Sequence, residues 1–171
     1  MTISIINNLQ TDYSQLLEIS EHRLILEREL VKESNLDVRD KKGRNALYWA
    51  IKTSHKHNTE LLLEYGISLM VQPNLHALFH SIQSNYLDLF SYFLKSGQNI
   101  NMQNTKKQSL LMVAIESKNM MMIRYLVSHG INLQIKDING ETAFEYAQKS
   151  KNKMIYDIIH YKLLLQKMKN A

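Results

Sequence analysis

Apolar residues recur along this chain in short bursts at helical spacing, and the bursts themselves recur. Leu111, Ala114 and Ile115 stand at the i, i+3, i+4 interval, and Ile123, Leu126 and Val127 repeat it. That interval lines one side of an α-helix, so each burst predicts a short helix with a single buried stripe. The segments Leu61-Leu-Leu-Glu-Tyr-Gly, Tyr92-Phe-Leu-Lys-Ser-Gly and Tyr125-Leu-Val-Ser-His-Gly close three such stretches on Gly66, Gly97 and Gly130. Nineteen residues before each glycine lies Leu47, Leu78 or Leu111, which opens Leu47-Tyr-Trp-Ala-Ile, Leu78-Phe-His-Ser-Ile or Leu111-Met-Val-Ala-Ile. A fourth burst begins at Phe144-Glu-Tyr-Ala-Gln and has no closing glycine. A constant internal spacing in three copies predicts a repeat array.

Each unit reads as two short antiparallel helices and a connecting finger. Gly130 sits where a left-handed residue ends a helix without a Cβ clash. Beyond it, residues 131–140 mix polar and β-branched side chains and carry Asn139-Gly140 at the tip, which is hairpin chemistry. These residues resemble the ankyrin repeat, whose pattern is roughly Asp-x-x-Gly-x-Thr-Pro-Leu-His-x-Ala-Ala, a second helix ending in Leu-Leu, then Gly-Ala-Asp-Val-Asn. The matching segments are Asp40-Lys-Lys-Gly-Arg-Asn-Ala-Leu-Tyr-Trp-Ala, Gly97-Gln-Asn-Ile-Asn and Asp137-Ile-Asn-Gly-Glu-Thr-Ala-Phe-Glu-Tyr-Ala.

The resemblance runs from about Tyr13 to about Lys167 and implies an all-α fold, an ankyrin-repeat solenoid of stacked helix-turn-helix units with β-hairpin-like fingers. Residues 1–171 are expected to form one domain: a degenerate capping unit at 1–39, full repeats at 40–70, 71–103 and 104–136, and a carboxyl-terminal capping repeat at 137–171 with an extended basic helix. In the degenerate unit, Ser14 to Ile19 is the expected first helix and His22 to Glu33 the second. Two departures from the family pattern change the picture. The Pro of the helix-opening motif is replaced by Ala46, Ala77, Leu110 and Ala143, and its His by Tyr48, Phe79, Met112 and Glu145. The polar network those two residues support is therefore expected to be absent, with packing alone holding the first turns. Two residues are also missing from the finger at 67–75, where Pro73 sits, and that finger is expected to be short or irregular.

Composition narrows the chemistry. With no cysteine, disulfides, thiol nucleophiles and thiolate zinc sites are excluded. The start of the sequence has no basic stretch before its apolar residues, and the longest later apolar run, Leu110 to Ile115, is far below the roughly twenty residues that span a bilayer. No export signal or integral membrane association is expected, and a cytoplasmic location is. The net charge of +5 is uneven: residues 1–39 carry four Lys/Arg against seven Asp/Glu, residues 40–148 eleven against eight, and residues 149–171 six against one. That distribution argues against a continuous nucleic-acid track. Neither a phosphate-cradling Gly-x-x-x-x-Gly-Lys nor a Gly-x-Ser-x-Gly, His-Glu-x-x-His or Gly-x-Gly-x-x-Gly motif occurs, so no enzyme activity and no cofactor are expected. His76 and His80 are four apart, but no third ligand is near and no metal site is expected. His55 and His57 read as a solvated turn. Met112 and Met122 read as core filling.

What remains is binding. The resemblance implies a non-catalytic protein-binding module, likened to small diverged members of the family in intracellular bacteria and viruses, acting as effector, adaptor, or masking or immunity protein. Its usual binding face is concave, built of fingers and first helices. By spacing, the exposed positions there are Lys41, Lys42, Arg44, Trp49, Lys52 and Thr53, then Leu75, His80 and Gln83, then Lys106, Gln108, Val113 and Glu116, then Asn139, Glu141, Tyr146 and Lys149. Trp49, His80, Val113 and Tyr146 occupy equivalent sites and are expected to form a row. Trp49 beside Lys41, Lys42, Arg44 and Lys52 suits a protein partner with an acidic surface and an apolar notch, bound by a monomer. The alternative is electrostatic binding of nucleic acid or anionic membrane through Lys149, Lys151, Lys153, Lys162, Lys167 and Lys169.

Overall fold

A computed structural model describes residues 12–169, and the side chains of residues 15–168. The reading of the first eight residues, and the side chains of Ser14 and Lys169, lie outside the described residues. Among the described residues are ten helices and two short strands, and the chain divides into two compact units, residues 1–73 and 74–171.

The first unit contains α1 (Asp12–Glu21), α2 (Arg28–Glu33), α3 (Ala46–Lys52), α4 (Lys56–Glu64) and β1 (Met70–Gln72). Helix α3 packs against α1 and α4, with Leu47, Ala50 and Ile51 wholly buried. The second helix of the degenerate unit is shorter than expected, beginning at Arg28 rather than His22. Arg23 takes a left-handed φ of 60°, which stops the helix, and the backbone of residues 24–27 finds partners outside it. The Leu26 amide donates to Asn58 Oδ1 at 2.9 Å, and Asn58 Nδ2 donates to the Leu24 carbonyl at 2.7 Å. His57 Nε2 lies 3.1 Å from the Leu26 carbonyl, and His55 Nδ1 accepts from the Asn58 amide. His57 is exposed and His55 half-buried, in keeping with a solvated turn, and both also bond backbone around the buried Asn58: buried backbone groups must be paired, and a buried Asn can pair several at once.

The second unit contains β2 (Leu75–His76) followed by α5 (Ala77–Gln83), α6 (Leu87–Lys95), α7 (Leu110–Glu116), α8 (Met120–Ser128), α9 (Ala143–Lys149) and α10 (Lys153–Lys169). Helix α5 packs on α6 and α7, α7 on α8 and α9, and α9 on α10, so three helix pairs stack in sequence. Leu78, Ile82, Leu111, Ala114, Ile115, Ile123 and Leu126 fill the core, with Met112 and Met122 among them, while Met121 is exposed.

Three local devices repeat. Between the helices of each pair stands one residue at positive φ: Ser54 (52°), Asn85 (54°), Lys118 (51°) and Lys151 (53°). After it, the amides of His55, Tyr86 and Asn119 reach back to the carbonyls of Ala50, Ser81 and Ala114, reversing the chain. The register glycines Gly66, Gly97 and Gly130 end the second helices at φ 79°, 92° and 78°.

The third device corrects an expectation. The opening turns of the first helices are held by polar caps as well as packing. Asn45 Oδ1 accepts from the Tyr48 amide while its Nδ2 donates to the Ser68 carbonyl. His76 Nδ1 accepts from the Leu78 amide, and burial lowers the pKa of this imidazole, favouring the neutral ring that can accept. Ser109 and Thr142 form capping boxes with Met112 and Glu145, two of the residues whose substitution suggested that the network was lost. A helix start leaves four amides unpaired, and the residue just before it supplies an acceptor whatever follows. The shortened finger is short, as expected: Pro73 and Asn74, the latter at φ 62°, follow β1 and suit a tight turn.

Gly43 is held by more than its φ of 74°, because a Cβ there would stand 2.7 Å from Pro73 Cδ. Replacing it by Ala is expected to destabilise the first unit. Lys118→Gly and Lys151→Gly are expected to stabilise the second by up to about 1 kcal/mol each, since a non-glycine residue in the left-handed region costs roughly 1–2 kcal/mol and glycine's added chain entropy offsets part of that gain. Ser109→Ala and Thr142→Ala should each cost about 1 kcal/mol. Urea unfolding followed by circular dichroism checks all five, and a destabilising glycine at residue 118 would contradict the strain argument.

Candidate functional site

The fingers are built on short polar side chains that bond their own backbone. At Asp40, Oδ1 accepts from the amides of Lys42 at 2.8 Å and Arg44 at 3.0 Å. Asp137 Oδ1 does the same for Asn139 and Glu141, at 2.8 and 2.9 Å. Asn104 Oδ1 takes Lys106 and Gln108, both at 2.9 Å. In each loop the fourth residue is left-handed: Gly43, Gly140 and, at φ 55°, Lys107. Lys107 is a finger residue that the sequence reading passed over, although a shift of 33 positions aligns Asn104 to Gln108 with Asp137 to Glu141. The same geometry therefore lifts Lys41-Lys42, Lys106-Lys107 and Ile138-Asn139 to exposed tips. The last two tips are also tied together, since Ile138 N donates to the Lys106 carbonyl and Gln103 Nε2 to the carbonyls of Lys107 and Lys136.

The first-helix positions divide differently from the expectation. Trp49, His80 and Val113 are only 6%, 5% and 5% exposed, and Gln108 is buried, so the row they were expected to present is turned into the core. The exposed positions fall three residues later, at Lys52, Gln83, Glu116 and Lys149. Thr53, Leu75, Arg44, Glu141 and Tyr146 are half-buried; Lys41, Lys42, Lys106 and Asn139 are exposed. The reason is visible at Trp49. Tyr48 meets its ring edge-on at 5.4 Å, the Arg44 guanidinium lies over it at 4.2 Å and Lys52 Nζ at 4.8 Å from the centroid. Arg44 is in turn held by an ion pair to Asp40 at 2.6 Å. The cations cover the indole instead of flanking a projecting anchor, which is how a long basic side chain spends its apolar stem on a buried aromatic.

In the second unit, polar side chains from two fingers meet over a first helix. Gln108 Nε2 donates to Glu116 Oε1 and to the Tyr146 hydroxyl, both at 3.0 Å, and Asn104 Nδ2 donates to Gln108 Oε1 at 2.8 Å. The Tyr146 hydroxyl donates to Asp137 Oδ2 at 2.8 Å, and Lys149 pairs with Glu141. Against the desolvation that opposes it, the amide of Glu141, the Tyr146 hydroxyl and Asn139 hold the Asp137 carboxyl below its ordinary range. Burial, joined by the negative charge of Asp137, pushes the Tyr146 phenol up to about 12. Beside this network lies a cleft of about 490 Å³ lined by Ile115, Glu116, Lys118, Glu141, Tyr146 and Lys149. The network fixes the orientation of Gln108, Glu116 and Tyr146 beside the cleft; it pairs no nucleophile with a base. No group of three or more His, Asp or Glu able to hold a metal occurs among the described residues, and no helix there is long and apolar enough to cross a membrane.

Helix pairs, capped first helices and Asx-closed fingers at a 31- to 33-residue period define a repeat protein. Residues 78–170, more than half of the chain, match the family of ankyrin repeats in three copies, and the chain belongs to that family. No curated protein matches it.

Two titrations probe the network. Because the folded pKa of Asp137 lies below the ordinary 3.8, its contribution is present above that pH and is lost as pH falls through the folded value. Asp137→Asn is expected to lower the melting temperature at pH 7, with the gap to the parent closing as pH falls through the lowered carboxyl value, beneath the ordinary 3.8. The raised Tyr146 value has the opposite sense: its stabilisation is complete below pH 10 and is lost as pH rises through about 12. Tyr146→Phe should therefore remove the latest step from the phenolate titration at 295 nm; an unchanged late step would contradict the assignment.

Proposed function

We propose that this protein is a non-catalytic binding module that grips a partner protein through its fingers and the exposed turns of its first helices. The family is an interaction fold, and protein partners are its general business. The observation that carries the finer reading is the finger construction: side-chain acceptors close three loops onto their own amides, so exposed lysines are presented on ordered backbone. Lys106 and Lys107 have no ion-pair partner among the described residues. A partner with an acidic surface suits those tips, and little ordering entropy is lost on binding a loop that is already closed. The module works as a monomer in the cytoplasm, as an adaptor or by masking its partner, and an effector role is one form of that.

Electrostatic attachment through the basic end is the weaker reading. Lys149 is engaged by Glu141 and Lys153 by Asp157 at 2.7 Å, which reduces the free charge of that segment, and among its described residues Tyr161 is the single exposed aromatic ring, too little for a stacking platform.

Reversing four finger charges, Lys41→Glu, Lys42→Glu, Lys106→Glu and Lys107→Glu, should weaken binding to a captured partner at least tenfold while leaving the circular dichroism spectrum unchanged. Reversing Lys151 and Lys167 should have little effect on that interaction. Binding that survives the finger variant but vanishes with the second would favour the basic end instead.

A further inference from the structure

The last helix carries a face that the helix pairs leave largely exposed, with the Met154 sulfur accepting from Arg124 of α8 at 3.6 Å. Ile155 and Ile159 of α10 are fully buried, and the helix packs on α9 and α8. On its other side Met154, Tyr161 and Met168, seven residues apart, are exposed, with Leu164 and Leu165 between the last two. Tyr161 is 64% and Met168 75% exposed, high for large apolar groups on one helix face. Next to the stripe runs a groove of about 300 Å³ whose lining includes Phe144, Leu163, Leu164, Glu145 and Lys167. The ridge and the groove lie together on the second unit, on residues distinct from the finger tips.

We propose that this ridge and groove dock an amphipathic helix of a partner protein, one with an apolar seam and acidic flanks. The seven-residue period of the exposed stripe is the period at which one helix lies along another, each apolar residue meeting a gap in the facing seam. The groove beside Leu164 receives a side chain from that seam. Charge selects among occupants. Lys162 and Lys167 have no ion-pair partner among the described residues, and Lys151 and Lys153 stand at the start of the helix, against Asp157 alone. A second copy of this chain would set these lysines against one another, whereas acidic flanks would pair with them. Asp157 lies within the exposed stripe, bonded to Lys153 at 2.7 Å, and a carboxylate in that position opposes burial in a bilayer.

A displayed library of helical 20-residue peptides, selected on the full chain, tests this directly, with the affinities of recovered peptides measured by fluorescence anisotropy. Recovered sequences are expected to place apolar residues at i, i+3 or i+4 and i+7 and to carry net negative charge. Their dissociation constants should rise at least tenfold with Tyr161→Ala/Met168→Ala and with Lys162→Glu/Lys167→Glu, and stay unchanged with Lys41→Glu/Lys42→Glu. The last variant separates this face from the finger reading, so either can fail alone. The proposal is overturned if no such peptides are recovered, if binding survives both α10 variants, if the chain self-associates through Tyr161 and Met168 in sedimentation, or if it binds phosphatidylserine vesicles through them.

Discussion

The structure depends on one constraint: neither helix of a pair can bury its apolar stripe alone. A seven-residue helix such as α7 is too short to persist on its own propensity, since isolated helices shorter than about twelve residues are marginal in water. It survives because Leu111, Ala114 and Ile115 are covered by α8 on one side and by α5 and α9 on the others. Burying a large aliphatic side chain stabilises by about 1.5–3 kcal/mol, far more than any single cap. Every other repeated device serves that burial. The left-handed residue between helices turns α8 back onto α7, the glycine ends α8 in time, and the finger spans the gap to the next first helix.

Function is the residue of what burial leaves. Once the inner stripe is committed to the stack, the fingers and the last exposed turns of the first helices are free to vary. Their side chains do two jobs. Asp40, Asn104 and Asp137 point inward to hold loop backbone, and Lys41, Lys42, Lys106 and Lys107 point to water. Gln108 and Tyr146 belong to neither class fully: they bond finger to finger and so couple adjacent repeats through polar contacts. Such a chain of bonds is most effective where water is partly excluded: burial raises the Tyr146 phenol, while the hydrogen bonds to Asp137 outweigh desolvation and keep its carboxyl low.

The helical class, the register and the family were legible in the sequence because they rest on spacing, and spacing survives substitution. Leu47, Leu78 and Leu111 keep their distance to the glycine whatever lies between. The caps were not legible in the same way. Met112 and Glu145 were read as losses because they differ from the family's histidine, whereas the physical requirement is an acceptor for an unpaired amide, which Ser109 and Thr142 meet. The left-handed Lys118 and Lys151 escaped notice because nothing in a lysine announces positive φ. The exposure of Lys52, Gln83, Glu116 and Lys149 follows the spacing, whereas that of the row one turn earlier does not. Trp49, His80 and Val113 share a register position, and register fixes equivalence but not exposure; that is decided by neighbours such as Arg44 and Lys52, which fold over the indole.

The central claim is that the finger tips are ordered platforms held by their own side chains. Hydrogen exchange of the finger amides, resolved by NMR, measures this most directly. Amides of Lys42, Arg44, Lys106, Gln108, Asn139 and Glu141, each bonded to an Asx carboxylate or carboxamide, should exchange at least tenfold more slowly than the amides of Lys41 and Thr105, which have no such side-chain acceptor among the described residues. Exchange of all of them at the rates of an unstructured peptide would show the fingers to be disordered and would contradict the account.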